Sequence, residues 1–160
     1  MNKETSGFTL VELVIVIVLV SILTVYAVVK WPSDSEIMLP TQASLLANHI
    51  RHTQALAMHW GQPLRLTVGA GGYSVSCVTA SASAPCNNNP VIDPVTNQPF
   101  SIALENGIGL SGANVDFDSL GRPVSGATII TSTPARTFTL SADGVSQSVL
   151  LEPLTGFASL

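Results

Sequence analysis

The chain has 160 residues, enough for one modest domain and an anchor, and its formal net charge is −4. Its six basic residues, Lys3, Lys30, Arg51, Arg65, Arg122 and Arg136, are scattered. Nucleic-acid binding rests heavily on clustered Lys and Arg, so this composition argues against it. Hydrophobic residues make up 46% and charged residues 10%, but the average hides a division. Most of the continuous apolar sequence lies in the first thirty residues; from Ser33 onward short apolar runs alternate with Ser, Thr, Gly, Pro and Asn.

The leader, MNKETSG, is polar. Phe8 to Val29 is then apolar except for Glu12 and a few hydroxyl residues. Twenty-two helical residues span about 33 Å, close to one bilayer core. A lone segment in lipid must be helical to satisfy its own backbone. A secretory signal peptide would have a basic start and a small-x-small cleavage site. Here the apolar run instead meets Lys30, Trp31 and Pro32. Lys3 and Lys30 flank the run one apiece, so charge gives little orientation. A carboxylate within such a span is costly unless it is paired or near the interface. Glu12 therefore reads either as a headgroup-level residue or as the partner of a cation on another chain.

Pro32 removes a helix donor and disfavours a helical Trp31, which predicts a break over Trp31–Pro40. Trp31 and Tyr26 fit interfacial anchors. Thr41 after Pro40 is a good N-cap, predicting an amphipathic helix from about Thr41 to Trp60, ended by Gly61-Gln62-Pro63. Leu46, Ile50, Thr53, Ala57 and Trp60 form one stripe that should lie on a sheet, with Arg51, Asn48 and Ala55 facing away. His49, His52 and His59 are not spaced to share a metal ion and read as partly exposed surface residues.

After Pro63 the period changes to two. Leu64–Val68 and Tyr73–Cys77 flank Gly69-Ala70-Gly71-Gly72 as a hairpin. These glycines join two strands rather than open a helix, so they are a turn and not a phosphate loop. Val78–Gln98 is loop-like. Phe100–Leu104, Ile108–Leu110, Val115–Phe117 and Ala127–Thr131 are short strand candidates, with a turn at Leu120-Gly121-Arg122-Pro123. Arg136–Ala142 and Val145–Leu151, joined by Asp143-Gly144, form the clearest hairpin. The only cysteines, Cys77 and Cys86, suggest one disulfide in an oxidising compartment. The alternatives are two free thiols or a metal site, the latter poorly supported without a nearby His or second Cys pair. No catalytic constellation or cofactor motif is present.

The string Gly7-Phe8-Thr9-Leu10-Val11-Glu12-Leu13 resembles the leader junction of type IV pilins and type II secretion pseudopilins. The resemblance implies that a prepilin peptidase cuts after Gly7, that Phe8 becomes N-methylated, and that Glu12 pairs with the N-terminal amine of a neighbouring subunit. Many major pilins carry proline where this chain has Val29, so their helix kinking does not carry over. Ile50, Arg51, Gln54, Ala55 and Ala57, with the turn Phe117–Pro123, resemble the H-type minor pseudopilins and their minor-pilin relatives (the GspH/FimT group), MSHA-type minor pilins being nearest.

The resemblance implies an α+β protein with a hydrophobic N-terminal helix, broken near Pro32–Pro40, packed on a small antiparallel β-rich head. The expected divisions are a cleaved leader at 1–7, a transmembrane and assembly helix at 8–30, a helix break and amphipathic helix at 31–60, and an extracytoplasmic head at 61–160. The implied setting is the bacterial inner membrane, single-pass with a periplasmic head, and then a pilus or pseudopilus. Implied partners are other pilin subunits, the peptidase, the inner-membrane assembly platform and membrane lipid. Some FimT-like relatives bind DNA through basic residues of the head and C-terminal tail, but Glu152–Leu160 has no Lys or Arg.

Overall fold

The computed structural model describes residues 7–29 and 33–160. The chain divides into two compact units, Met1–Ser33 and Asp34–Leu160. In the first, α1 (Leu10–Val29) is a single helix. The leader before Gly7, the anchor expected at Trp31, and the part of the helix break at 30–32 lie outside the described residues, as does the Tyr26 side chain.

The second unit is α+β. Its helix α2 spans Asp34–Trp60, with Pro40 inside it. This corrects the expected start at Thr41: the segment Asp34–Pro40 is helical, not a break. Proline removes one bond, to the Glu36 carbonyl, and near a helix start that loss is limited. Burial compensates, because Leu39 is 2% exposed and Ser35 donates to the Asp143 carboxylate. Ser44 Oγ also donates to the Pro40 carbonyl at 2.9 Å. As expected from the stripe, Leu46, Ile50, Thr53 and Ala57 are buried and Trp60 packs against the core. Arg51 does not simply face solvent: its Nε donates to the Ala158 carbonyl at 2.9 Å, and its guanidinium stacks 4.6 Å from the Phe157 ring centre.

Among the described residues, ten strands form two antiparallel sheets. The strands are β1 (Leu64–Gly69), β2 (Gly72–Cys77), β3 (Ser101–Ala103), β4 (Gly109–Ser111), β5 (Val115–Phe117), β6 (Pro123–Ser125), β7 (Thr128–Ile129), β8 (Arg136–Ala142), β9 (Val145–Leu151) and β10 (Ala158–Ser159). Six make one sheet in the order β3-β2-β1-β5-β6-β7, and four make the other in the order β10-β9-β8-β4. α2 lies against β1 and β5 of the first and β8, β9 and β10 of the second. The core between them is built on Leu46, Ile50, Leu64, Leu66, Phe117 and Phe138, none measurably exposed. Both predicted hairpins are present, with Leu66 opposite Val75 and Thr139 opposite Ser148. Asp143 (φ 50°) and Gly144 (φ 84°) give the β8–β9 turn two consecutive positive φ angles, which suits the right-handed twist of the flanking strands.

Candidate functional site: the N-terminal junction and the head

Thr9 caps α1. Its Oγ1 accepts from the Glu12 backbone N–H at 3.2 Å, and its carbonyl accepts from Leu13 N–H at 3.2 Å. Thr9 and Glu12 thus occupy the first and fourth positions of a capping-box sequence. A carboxylate in the first turn also faces the positive end of the helix dipole. Gly7 and Phe8 precede the cap in an irregular, exposed stretch, with Phe8 78% exposed. The junction is therefore an exposed, irregular stretch directly followed by an ordered helix.

Beyond Glu12 the helix is apolar on all sides, and Leu10–Val25 is exposed throughout. Ser21 and Thr24 are satisfied within the helix, Ser21 Oγ by the Val18 carbonyl and Thr24 Oγ1 by the Val20 carbonyl, each at 2.7 Å. A helix that is hydrophobic all round needs lipid or other apolar helices around it. The side chains of α1 are described as far as Val25; among the described residues no helix is long and apolar enough to cross a membrane. The apolar run in the sequence, Phe8 to Val29, is longer than that described stretch.

Cys77 and Cys86 form a disulfide with Cα atoms 5.6 Å apart. It closes the start of the β2–β3 connection, and so short a loop contributes about 2–3 kcal/mol on a chain-entropy account. The rest of that connection is fastened to α2. His52 Nε2 meets Asp93 Oδ1 at 3.0 Å, and Asp93 also accepts from Val95 N–H and Thr96 Oγ1. Burial alone would raise the Asp93 carboxyl, but the bonds from His52, Val95 and Thr96 hold it below its ordinary value. His49 Nδ1 lies 2.8 Å from the Tyr73 hydroxyl and packs edge-on to Phe100. His49 and His52 are partly exposed, as expected, and also brace the β2–β3 connection; His59 is exposed. Among the described residues no group of three or more His, Cys, Asp or Glu could hold a metal ion.

Burial, and then the neighbouring His52, lower the His49 pKa below 6.5. The unfolded chain then binds more protons than the folded one as pH falls through about 6.5, so folding stability declines on acidification. Thermal melts of the full chain in detergent between pH 7.5 and 5.5 should show a falling midpoint. His49→Gln should flatten that slope; an unchanged slope would remove His49 from the account.

Three residues have contacts to the C-terminal segment that the sequence did not disclose. Arg51 holds Ala158, as above. Gln54 Nε2 donates to the Gly121 carbonyl at 2.7 Å and to the Thr155 carbonyl. Gly156, at φ 66°, sits where an added Cβ would lie 2.7 Å from Gln54 Nε2 and 2.9 Å from the Gly121 carbonyl. A polar pair spaced three apart on the outer side of α2 was the available signal.

A family model described as the prokaryotic N-terminal methylation motif matches residues 2–28. In fold, the chain is similar to the type IV minor pilin FimU of Pseudomonas aeruginosa (strain PAO1), with a TM-score of 0.53 at 15% identity, covering 81% of this chain and 92% of that one. The chain thus carries a prokaryotic N-terminal methylation motif and has a fold similar to that of a type IV minor pilin. No curated protein matches it significantly.

Proposed function

We propose that this pilin-like chain is a minor pilin or pseudopilin, a structural subunit of an MSHA-like type IV pilus or of a type II secretion pseudopilus. The observation that carries the reading is the exposed Gly7-Phe8 pair set directly before a Thr9-capped, all-round apolar helix, within the span of the methylation motif. In this reading a prepilin peptidase cuts between Gly7 and Phe8 and Phe8 is N-methylated. The Glu12 carboxylate pairs with the N-terminal amine of a neighbouring subunit. The anchor holds the subunit in the inner membrane, single-pass with the head in the periplasm, until the assembly platform moves it into the filament. The likeness of the α2 and Phe117–Pro123 segments to H-type minor pilins supports a minor rather than a major subunit.

The head is poorly equipped for the DNA uptake of some FimT-like relatives. Arg65 and Arg122 are committed to Asp116 and Asp118, and Arg51 to the Ala158 carbonyl. Intact-mass analysis of protein from its native host should show loss of Met1–Gly7 and gain of one methyl group. A mature N-terminus beyond Val29 would overturn the prepilin reading. Co-purification with a major pilin, or with secretion components, assigns the system.

A further inference from the structure

The outer face of the six-stranded sheet carries a row of directly opposed residues across four strands: Arg65 to Asp116, Asp116 to Val124, and Val124 to Ile129. It is the face opposite Leu64, Leu66, Val115 and Phe117, which enter the core. Two adjoining cavities of about 250 Å³ each open along this row and share Asp116, Val124 and Gly126. Together they reach the size of ordinary small-ligand sites, roughly 300–1,000 Å³. The first is polar, with Arg65, Asn114, Ser125 and Arg136 in its lining. The second adds apolar surface from Pro63, Val78, Ala127 and Ile129.

The charges are unevenly committed. Arg65 grips both oxygens of Asp116, at 2.6 and 2.7 Å. Arg122 holds Asp118 at 2.7 Å. Arg136 meets no carboxylate among the described residues; its Nε and Nη1 donate to the Asn114 and Ala135 carbonyls, and its Nη2 has no bond there. Asn114 uses its Oδ1 to accept from Val68 N–H, leaving its Nδ2 unbonded, and the Ser125 hydroxyl is likewise unbonded among the described residues. The polar cavity thus has three unused donors and acceptors already filled at Asp116. Three arginines against two aspartates leave the pair of cavities with one net positive charge.

We infer that these cavities form a binding site for a singly charged carboxylate carrying a short apolar group. The carboxylate takes Arg136 Nη2, Asn114 Nδ2 and Ser125 Oγ, and the apolar group lies over Val124 and Ile129. Charge-assisted bonds to a guanidinium supply the strength, and the neighbouring donors the orientation. A doubly charged phosphate is a poorer match, since one net positive charge faces it beside two carboxylates. The site is independent of the filament role proposed above. The carboxylate belongs either to the C-terminus of a peptide or to a free branched-chain acid.

NMR titration of the full chain in detergent tests this, with N-acetyl-leucine, N-acetyl-leucinamide, 4-methylpentanoate and inorganic phosphate as probes. The Arg136 Nε and Ser125 amide signals should shift saturably with the acids, at least tenfold more tightly than with the amide. The tighter of the two acids identifies the source of the carboxylate. Arg136→Gln and Ser125→Asp, the latter at an exposed position, should each weaken binding at least tenfold with the melting midpoint retained. Absence of saturable binding by either acid overturns the inference. So do equal binding of the amide, tighter binding of phosphate, or parent-like binding by either folded variant.

Discussion

Replacing Glu12 with valine is expected to leave the protein inserted and cleaved but to exclude it from filaments. The substitution makes the segment more apolar, which favours insertion. It leaves Gly7, Phe8 and the Thr9 cap in place, because the bond Thr9 accepts comes from the backbone N–H of residue 12 and not from its side chain. What it removes is a carboxylate that, in the proposed assembly, neutralises an amine within a bundle of apolar helices. Stranding one member of a buried ion pair is strongly unfavourable, so incorporation should fall by at least about a hundredfold. Glu12→Gln should fall less, since it keeps an acceptor without the charge. Crosslinking of each variant to partner pilins, beside a check of processing and membrane location, measures this. Parent-like incorporation of Glu12→Val would make Glu12 an interfacial carboxylate and nothing more.

The second large effect is expected at Gly156. An alanine there would hold a left-handed backbone, at φ 66°, and would press Gln54, Gly121 and Phe117 at 2.7 to 3.0 Å. The conformational cost is about 1–2 kcal/mol and the overpacking about 1–3 kcal/mol more. Gly126 provides the comparison, because its φ is 63° and nothing lies within 4 Å of an added Cβ. Gly126→Ala should therefore show the conformational cost alone. Denaturant melts of the two variants separate the terms: a larger loss at Gly156 measures the close approach, and equal losses would mean that the C-terminal segment moves aside cheaply.

These two sites differ in how far the sequence disclosed them. Glu12 stood out as a charge in an apolar run, and hairpins β1–β2 and β8–β9 were legible from their alternation and turn residues. Local patterns of that kind carry their own register. β6 and β10 were not legible. Each has three residues or fewer, and each exists because a neighbouring strand supplies its hydrogen bonds. The helical start at Asp34 was misread for a related reason: the local rule against Pro40 was outweighed by burial of Leu39 and the bond from Ser35, neither visible in the local string. The disulfide was suggested by an even cysteine count in a chain with an expected membrane anchor. The cavities beside Arg136 were invisible, because the row from Arg65 to Ile129 joins four strands that the sequence could not order.

The bonds from α2 to Asp143 and to Ala158 join residues 108 and 107 positions apart. The first helix of the head is thus completed by its last strands. Non-local closure of this kind slows folding, since the chain must lose loop entropy before such contacts return anything. A head delivered across a membrane would spend that interval with α2 uncovered and the edges of both sheets unpaired, open to other chains in the same state. The topology that ties the finished head together would therefore also set how long a newly exported head stayed prone to aggregation.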